Sequence, residues 1–293
     1  MNRANFTKKL IIGSANFTQK YGMDSTKVNP NEVKKILNFA KKNNINKIDS
    51  ANTYYTAETY LVEKNIFKKI DKKFQFIAKV KPDQRWTSLD YCQKKINEYF
   101  EIFRGNRVQT LLIHDVNILF KAEGPKIFEN LKILKKKKYF RNIGLSIYDI
   151  ECLDYLMLNY NFDVVQCSYN ILDKRIVSSG WFKKLKGRGI EVHIRSVFLQ
   201  GLLVNELVYK KKYFEKWKKS FFKWFQILKN NNISPIDYCL SDLLSYNFDK
   251  IIIGINNRDN LKDVVNFKLI KKRDIILKIK TNDLKLIDPR NWK

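Results

Sequence analysis

Four side chains with different acid–base chemistry lie at or near the ends of short apolar segments. They are a carboxylate, a phenol, an amine and an imidazole, from Asp49, Tyr54, Lys79 and His114. Asp49, Lys79 and His114 each lie where a buried strand would end, and Tyr54 lies in the loop after Asp49. Groups at the same end of successive parallel strands converge on one mouth. The pattern therefore predicts a proton-transfer site formed by these residues.

The chemistry of such a site follows from the residue types. A tyrosine holds its proton near neutral pH, but an adjacent ammonium favours the phenolate and lowers the phenol pKa. A buried lysine needs an anionic partner, which Asp49 supplies, and a neutral histidine can hold a carbonyl oxygen. Together these groups would protonate an oxyanion as it forms, most simply during hydride addition to a carbonyl. Side chains donate no hydride, so a nicotinamide cofactor is implied.

Each of these residues also has a structural interpretation. Asp49 could cap a turn, Lys79 could be one surface lysine among many, and His114 could be a hydrogen-bonded core residue. Tyr55 stands beside Tyr54 and could take its place. The catalytic interpretation is favoured because the order and the strand-end placement hold for the whole set.

Short segments rich in Ile and Val alternate with longer amphipathic segments along the chain. Consecutive apolar positions are typical of strands buried on both faces, as in a parallel sheet. Strand–helix alternation over this length predicts an α/β fold, a (β/α)8 TIM barrel. A doubly wound sheet would normally carry a G-x-G-x-x-G turn, and the chain has none. The predicted strands are Leu10–Gly13, Lys47–Asp49, Phe76–Val80, Val108–His114, Asn142–Ser146, Asp163–Gln166, Ile190–Ser196 and Lys250–Ile255.

Helices are predicted between the strands from apolar residues that recur at helical spacing. Residues 1–293 are expected to form one barrel domain, with 271–293 as a C-terminal tail packed on it. A basic amphipathic stretch, Tyr209–Leu228, could bind a membrane or a partner, but a barrel helix with its apolar face inward is favoured. The predicted helices are Pro30–Asn44, Glu58–Phe67, Thr87–Phe103, Gly124–Lys135, Ile150–Leu158, Ser178–Lys186, Phe214–Leu228, Ser234–Ser245 and Asn257–Phe267.

The composition restricts the class of protein. The net charge is +28, but Lys and Arg are dispersed, which favours a solvated surface over nucleic-acid binding. No apolar run approaches the roughly 18 residues that span a bilayer, and no secretory signal is evident, so a cytoplasmic protein is expected. The four cysteines form no C-x-x-C pair and predict neither zinc nor disulfides. The oligomeric state stays open.

Seven segments resemble, in order, those of the aldo-keto reductase family, from about Leu10 to Val265. The resemblance implies a (β/α)8 barrel and a reductase for an aldehyde, ketone or sugar carbonyl, a small molecule. The segments are IDSANTYYTAE (Ile48–Glu58), AKV (Ala78–Val80), LLIHD (Leu111–Asp115), GLSIYD (Gly144–Asp149), VVQCSYNILDKR (Val164–Arg175), RSVFLQGLL (Arg195–Leu203) and IIIGINNRDNL (Ile251–Leu261).

The same resemblance implies roles for individual residues. Asp49, Tyr54, Lys79 and His114 would form the catalytic tetrad, with Tyr54 as the proton donor. Further residues would bind the cofactor. Ser146 and Gln166 would bind the nicotinamide carboxamide. Ser196 would bind the phosphates and adenosine, together with the turn that contains Gly254 and Asn260. An amide such as that of Gln166 can both donate to and accept from a carboxamide.

The cofactor turn departs from the pattern of well-known members. Gly254 and Ile255 stand where those members carry a lysine and a serine for the 2′-phosphate of NADP, and Asn260 replaces an arginine. Arg258 lies nearby and could substitute. The family default, NADP(H), is therefore expected first, and NAD(H) remains possible.

Three further departures lie near the tetrad. Tyr55 replaces a glycine, Ile147 an asparagine, and Arg195 a tyrosine that stacks on the nicotinamide in many members. The alternative function is a regulatory module that binds a nicotinamide cofactor on the same fold without catalysis. The complete tetrad favours the enzyme.

Overall fold

Parallel strands close into a barrel in sequence order, with the last strand pairing with the first. The computed structural model describes residues 3–18, 20, 22–23, 27–54, 74–103, 107–270 and 283–292. The (β/α)8 prediction is confirmed. The strands are β1 (Leu10–Gly13), β2 (Lys47–Ala51), β3 (Gln75–Val80), β4 (Arg107–Ile113), β5 (Asn142–Ser146), β6 (Val164–Ser168), β7 (Glu191–Arg195) and β8 (Lys250–Gly254).

The inside of the barrel is filled by a small apolar cluster of its own. Its buried side chains come from five strands: Ile11, Ile77, Leu112, Val164 and Ile252. Full burial of one such side chain stabilises the fold by about 1.5–3 kcal/mol. The polar residues nearer the carboxyl ends of the strands therefore pack on the apolar side chains that fill the barrel.

Helices surround the strands and pack their apolar faces against them. The helices are α1 (Arg3–Thr7), α2 (Ala15–Thr18), α3 (Pro30–Lys42), α4 (Leu89–Phe100), α5 (Gly124–Lys136), α6 (Cys152–Asn159), α7 (Arg175–Ser178), α8 (Trp181–Gly187), α9 (Glu206–Tyr209), α10 (Lys218–Asn230), α11 (Pro235–Leu243), α12 (Arg258–Val265) and α13 (Leu284–Ile287). The short helices α1, α2, α9 and α13 were not expected, and the predicted helix Ser178–Lys186 begins at Trp181 as α8, after the separate helix α7. The predicted helix Glu58–Phe67 lies outside the described residues.

Local capping explains where the predicted helix Thr87–Phe103 departs from the structure. Ser88 accepts a hydrogen bond from the Tyr91 N–H and so begins α4, after a separate 3-10 turn, Gln84–Thr87. A second 3-10 turn, Glu101–Phe103, follows α4. The apolar periodicity continues through both turns, so it could not reveal the caps.

The basic amphipathic stretch buries its apolar face within the protein. Phe221, Trp224, Phe225 and Leu228 of α10 all lie in a buried apolar cluster. Trp217 directly precedes the helix and is half-buried against the same cluster. Within the ranges described, no helix has the length and apolar character needed to cross a membrane.

The C-terminal segment is described from residue 283 onward, and residues 271–282 of the predicted tail lie outside the described residues. Leu286 and Ile287 are buried in the same cluster as α10. The indole of Trp292 lies edge-on to the Phe214 ring at 4.9 Å between centroids. These contacts attach residues 283–292 to the segment that follows β7.

Candidate active site

Asp49 lies inside β2 rather than at its end. The strand continues to Ala51, two residues beyond the predicted boundary, and pairs with β3 up to Lys79. Asp49 and Ser50 are polar residues within this strand, KIDSA, so its apolar pattern ends before the strand does. Asp49 and Lys79 therefore lie at neighbouring levels of the barrel, where both are almost fully buried.

Asp49 and Lys79 form a buried ion pair. The Lys79 ammonium donates to Asp49 Oδ1, and the Gln166 amide donates to Asp49 Oδ2 at 2.8 Å. Each carboxylate oxygen thus has a donor, which a buried charge requires. This arrangement fixes Lys79 at the mouth of the barrel.

Tyr54 and His114 complete the group that the sequence predicts. Tyr54 ends the 3-10 turn Asn52–Tyr54, directly after β2. Its ring centroid lies 5.4 Å from Lys79 Nζ, and the His114 ring lies edge-on to it at 6.2 Å between centroids. The structure therefore brings all four predicted residues together, while Tyr55 lies outside the described residues.

The environment of His114 determines its charge. Burial and the Lys79 ammonium lower the pKa of the imidazole to about 4, so the ring is neutral at physiological pH. Thr53 Oγ1 lies 3.3 Å from His114 Nδ1, on the side of the ring away from Nε2. A neutral imidazole can donate one hydrogen bond from Nε2 when Nδ1 accepts.

A cavity of about 510 Å³ opens beside these residues. Asp49, Tyr54 and Lys79 line one part of it, and the strand-end residues of β7 and β8 line another. The predicted cofactor residues Ser196, Gly254 and Asn260 are all among the lining residues.

The two residues expected to hold the nicotinamide carboxamide lie deeper. Ser146 and Gln166 are buried and do not line the cavity. Ser146 Oγ donates to Gln166 Oε1 at 3.3 Å, and Gln166 in turn donates to Asp49. A hydrogen-bonded chain thus joins the predicted carboxamide site to the ion pair.

The β8 side of the cavity has the polar groups that a dinucleotide requires. Asn16 is one of its lining residues, and the Asn16 Oδ1 atom is buried without a hydrogen-bond partner among the described residues. A Cβ placed on Gly254 would meet nothing within 4 Å, so the space beside that strand end is open. The α12 helix begins there, capped by Asn257, and the N–H of its first residue, Arg258, donates to Glu32 Oε1. The residues present therefore fit a nicotinamide dinucleotide.

Three features of this site carry no prediction from sequence, and one of them is a new contact of Gln166, which was predicted only as a cofactor residue. Thr53 contacts His114, Asn16 lines the cavity, and Gln166 bonds to the ion pair. Asn16 is a polar residue shortly after the end of β1. The tetrad was identified from polar residues at strand ends, and the same criterion could have identified Asn16. The other two contacts depend on pairing in three dimensions.

The second histidine, His193, does not line this cavity. His193 Nε2 lies 2.9 Å from Glu191 Oε2, nearer the start of β7, which agrees with a structural role. No group of His, Cys, Asp and Glu residues in the described ranges could hold a metal ion.

Comparison with known proteins gives this site its context. The model of the aldo/keto reductase family matches residues 9–275. This chain belongs to the aldo/keto reductase family. Membership implies an oxidoreductase that reduces carbonyl compounds with a nicotinamide cofactor. A search of curated proteins found no match.

Solved aldo-keto reductases share its fold at low sequence identity. A glycerol dehydrogenase from Gluconobacter oxydans is 16% identical, with a TM-score of 0.65 over 89% of this chain and 88% of that one. An aldo-keto reductase from Bacillus halodurans in its holo form is 16% identical, with a TM-score of 0.68 over 88% and 85%. At this identity, the likeness supports the barrel alone.

Proposed function

We propose that this aldo-keto reductase reduces an aldehyde, ketone or sugar carbonyl, with Tyr54 as the general acid. The position of Lys79 carries the proposal. Its ammonium is bonded to buried Asp49 and lies 5.4 Å from the Tyr54 ring centroid, at the cavity. That position suits a group that stabilises a phenolate as its proton leaves.

The residues around the carbonyl divide the proton transfer among them. Tyr54 gives its proton to the carbonyl oxygen, and Lys79 stabilises the resulting phenolate. Asp49 holds Lys79, and Gln166 holds Asp49 through its second oxygen. Neutral His114 can orient the same carbonyl oxygen by a hydrogen bond without competing to give up a proton. A bound nicotinamide cofactor supplies the hydride.

The cofactor would lie along the β8 side of the cavity. Ser196 with the turn that contains Gly254 and Asn260 would hold its phosphates and adenosine, and Ser146 with Gln166 would hold its carboxamide. NADP(H) is the first cofactor to test and NAD(H) the second. Glu32 Oε1 accepts from the Arg258 N–H at 2.8 Å, so a carboxylate already lies at the α12 start, which disfavours a third phosphate there. Titration with NADPH and with NADH measures the preference.

The test combines cofactor binding with carbonyl turnover. We expect Tyr54→Phe to bind the cofactor as wild type does, measured by cofactor fluorescence, and to lose turnover by roughly 10²–10⁴-fold. Tyr155→Phe, at a half-exposed tyrosine that does not line the cavity, is the matched control and should keep full turnover. Full turnover by Tyr54→Phe on a panel of aldehydes, ketones and sugars would show that the role is misassigned.

A further inference from the structure

A carboxylate lines the cavity where α12 borders it. Asp263 lies three residues after Asn260, on the same face of α12, and both residues line the cavity together with Val264. The helix α11 packs against α12, and its Ile236 lines the cavity as well. Apolar side chains next to polar ones suit a purine base that carries a ribose. The scheme above gives Asp263 no task.

The polar groups on this side of the cavity have capacity to accept hydrogen bonds. Asp263 is exposed, and among the described residues it forms no ion pair and no side-chain hydrogen bond. Asn16 Nδ2 donates to the Ile255 carbonyl at 2.8 Å and to Asn256 Oδ1 at 2.7 Å, which leaves Asn16 Oδ1 buried without a partner in the described ranges. Both groups therefore suit a ligand that donates hydrogen bonds, as a hydroxyl does.

The positive side chains that line the cavity lie away from α12. Among the described residues they are Lys79 and Arg195. Lys79 is bonded to Asp49 inside the barrel. Arg195 donates to the Ile147 carbonyl at 2.9 Å and to Ser168 Oγ at 3.0 Å, at the ends of β5 and β6. The part of the cavity beside α12 thus has a negative side chain and, in the described part of the chain, no positive one.

Arg258, the cation that the sequence offers as a substitute for the missing arginine, is held by other groups. It does not line the cavity, and its guanidinium pairs with Asp259 at 3.2 Å. The Arg258 N–H, 2.8 Å from Glu32 Oε1, and the Lys35 ammonium hold the pKa of Glu32 below its usual range, so Glu32 carries a negative charge at the start of α12. The charges around α12 therefore disfavour a phosphate on the ribose.

A carboxylate in this position distinguishes the two nicotinamide dinucleotides. Its two oxygens can accept from the adjacent 2′- and 3′-hydroxyls of the adenosine ribose in NAD(H). The same charge repels the 2′-phosphate of NADP(H). Doubly wound dinucleotide-binding domains use an acidic residue at the ribose for NAD and an arginine for NADP. Asp263 offers the same chemistry on a barrel.

We propose that Asp263 binds the hydroxyls of the adenosine ribose and selects NAD(H) over NADP(H). The proposal rests on the cofactor site of the proposed function, with the adenosine beside α12. It makes Asp263 a specificity-determining residue and replaces the family default, NADP(H), by NAD(H) for this chain.

Cofactor binding without substrate tests this selection, by titration of cofactor fluorescence. We expect wild type to bind NADH at least about tenfold more tightly than NADPH. Asp263→Ala should weaken NADH binding by about 10–100-fold, as expected for hydrogen bonds to a charged group, and weaken NADPH binding about twofold at most. Asp263→Arg should reverse the preference. Asp154→Ala is the matched control, because Asp154 is also exposed on a helix, α6, but does not line the cavity.

The 2′-deoxyadenosine analogue of NADH separates hydroxyl binding from a general effect of the substitution. Wild type should bind this analogue about tenfold more weakly than NADH, because one hydrogen bond to the carboxylate is lost. Asp263→Ala should bind the analogue and NADH equally. A substitution that only disturbs the structure of α12 would weaken both ligands and leave their ratio as in wild type, which would refute the contact.

The outcomes separate this proposal from carbonyl reduction. Wild type that binds NADPH as tightly as NADH or more tightly, an unchanged ratio of the two affinities in Asp263→Ala, or no binding of either cofactor would overturn the role of Asp263. Carbonyl turnover with NADPH alone would do the same and leave the proposed reduction intact. A preference for NADH that depends on Asp263, in a protein that reduces no carbonyl, would support the selection and refute the proposed reaction.

Discussion

Replacing Asp49 by asparagine tests the buried ion pair that supports the proposed acid. The substitution keeps the shape of the side chain and removes its charge. Lys79 is only 2% exposed, so its ammonium would lose its counter-charge without gaining water. Removal of one partner of a buried pair costs about 3–5 kcal/mol. A chain of this size loses about 2–4 °C in Tm for each kcal/mol, which predicts a loss of roughly 6–20 °C.

Thermal unfolding followed by circular dichroism measures this loss, with an exposed ion pair as control. Glu98 accepts from Lys95 at 2.7 Å on the surface of α4. Glu98→Gln should leave the Tm within about 1 °C of wild type, because water screens exposed pairs.

The double variant Asp49→Asn/Lys79→Met separates the charge from the packing. Removing both charges should recover much of the stability that Asp49→Asn loses, because no unpaired charge stays buried. A Tm for Asp49→Asn within about 1 °C of wild type, or a double variant that loses the sum of both single losses, would refute the reasoning.

Two further predictions concern His114 and the barrel wall. The pKa of His114 is about 4 in the folded protein and about 6.5 when unfolded, so its contribution to stability is complete above pH 6.5 and is lost as pH falls towards 4. Between pH 7 and pH 5, the urea midpoint should fall further for wild type than for His114→Asn; equal falls would contradict the assignment. Gly144→Ala should cost about 1–3 kcal/mol in urea unfolding, because its Cβ would lie 2.3 Å from the Val164 carbonyl oxygen. Gly187→Ala, with nothing within 4 Å, should cost nothing, and equal results for the two would contradict the packing argument.

The sequence could predict the barrel because its strands are buried on both faces. Runs such as Leu111–Ile113 in β4 and Ile251–Ile253 in β8 are apolar at consecutive positions, and in β4 the change to a polar residue, His114, marks the carboxyl end. Lys79 and His114 were located in this way. In β2 the rule fails by two residues, because Asp49 and Ser50 are polar residues that the mouth of the barrel buries.

Contacts between distant residues could not be read from local patterns. Gln166 lies 117 positions from Asp49 in the chain, and only closure of the barrel brings the two side chains to 2.8 Å. The same holds for Arg195. The sequence shows an arginine at this position, but whether a carboxylate pairs with it depends on which residues the fold brings near it. Periodicity shows which face is buried but not which polar groups meet.

The first turnover of cofactor-loaded protein tests the central claim most directly. Wild type and Tyr54→Phe are each loaded with NADPH or NADH and then mixed with a carbonyl substrate. The change in cofactor absorbance during the first turnover measures hydride transfer separately from product release. The account predicts equal cofactor loading and a first-turnover rate at least about 100-fold lower for Tyr54→Phe. Equal rates for the two proteins would contradict it.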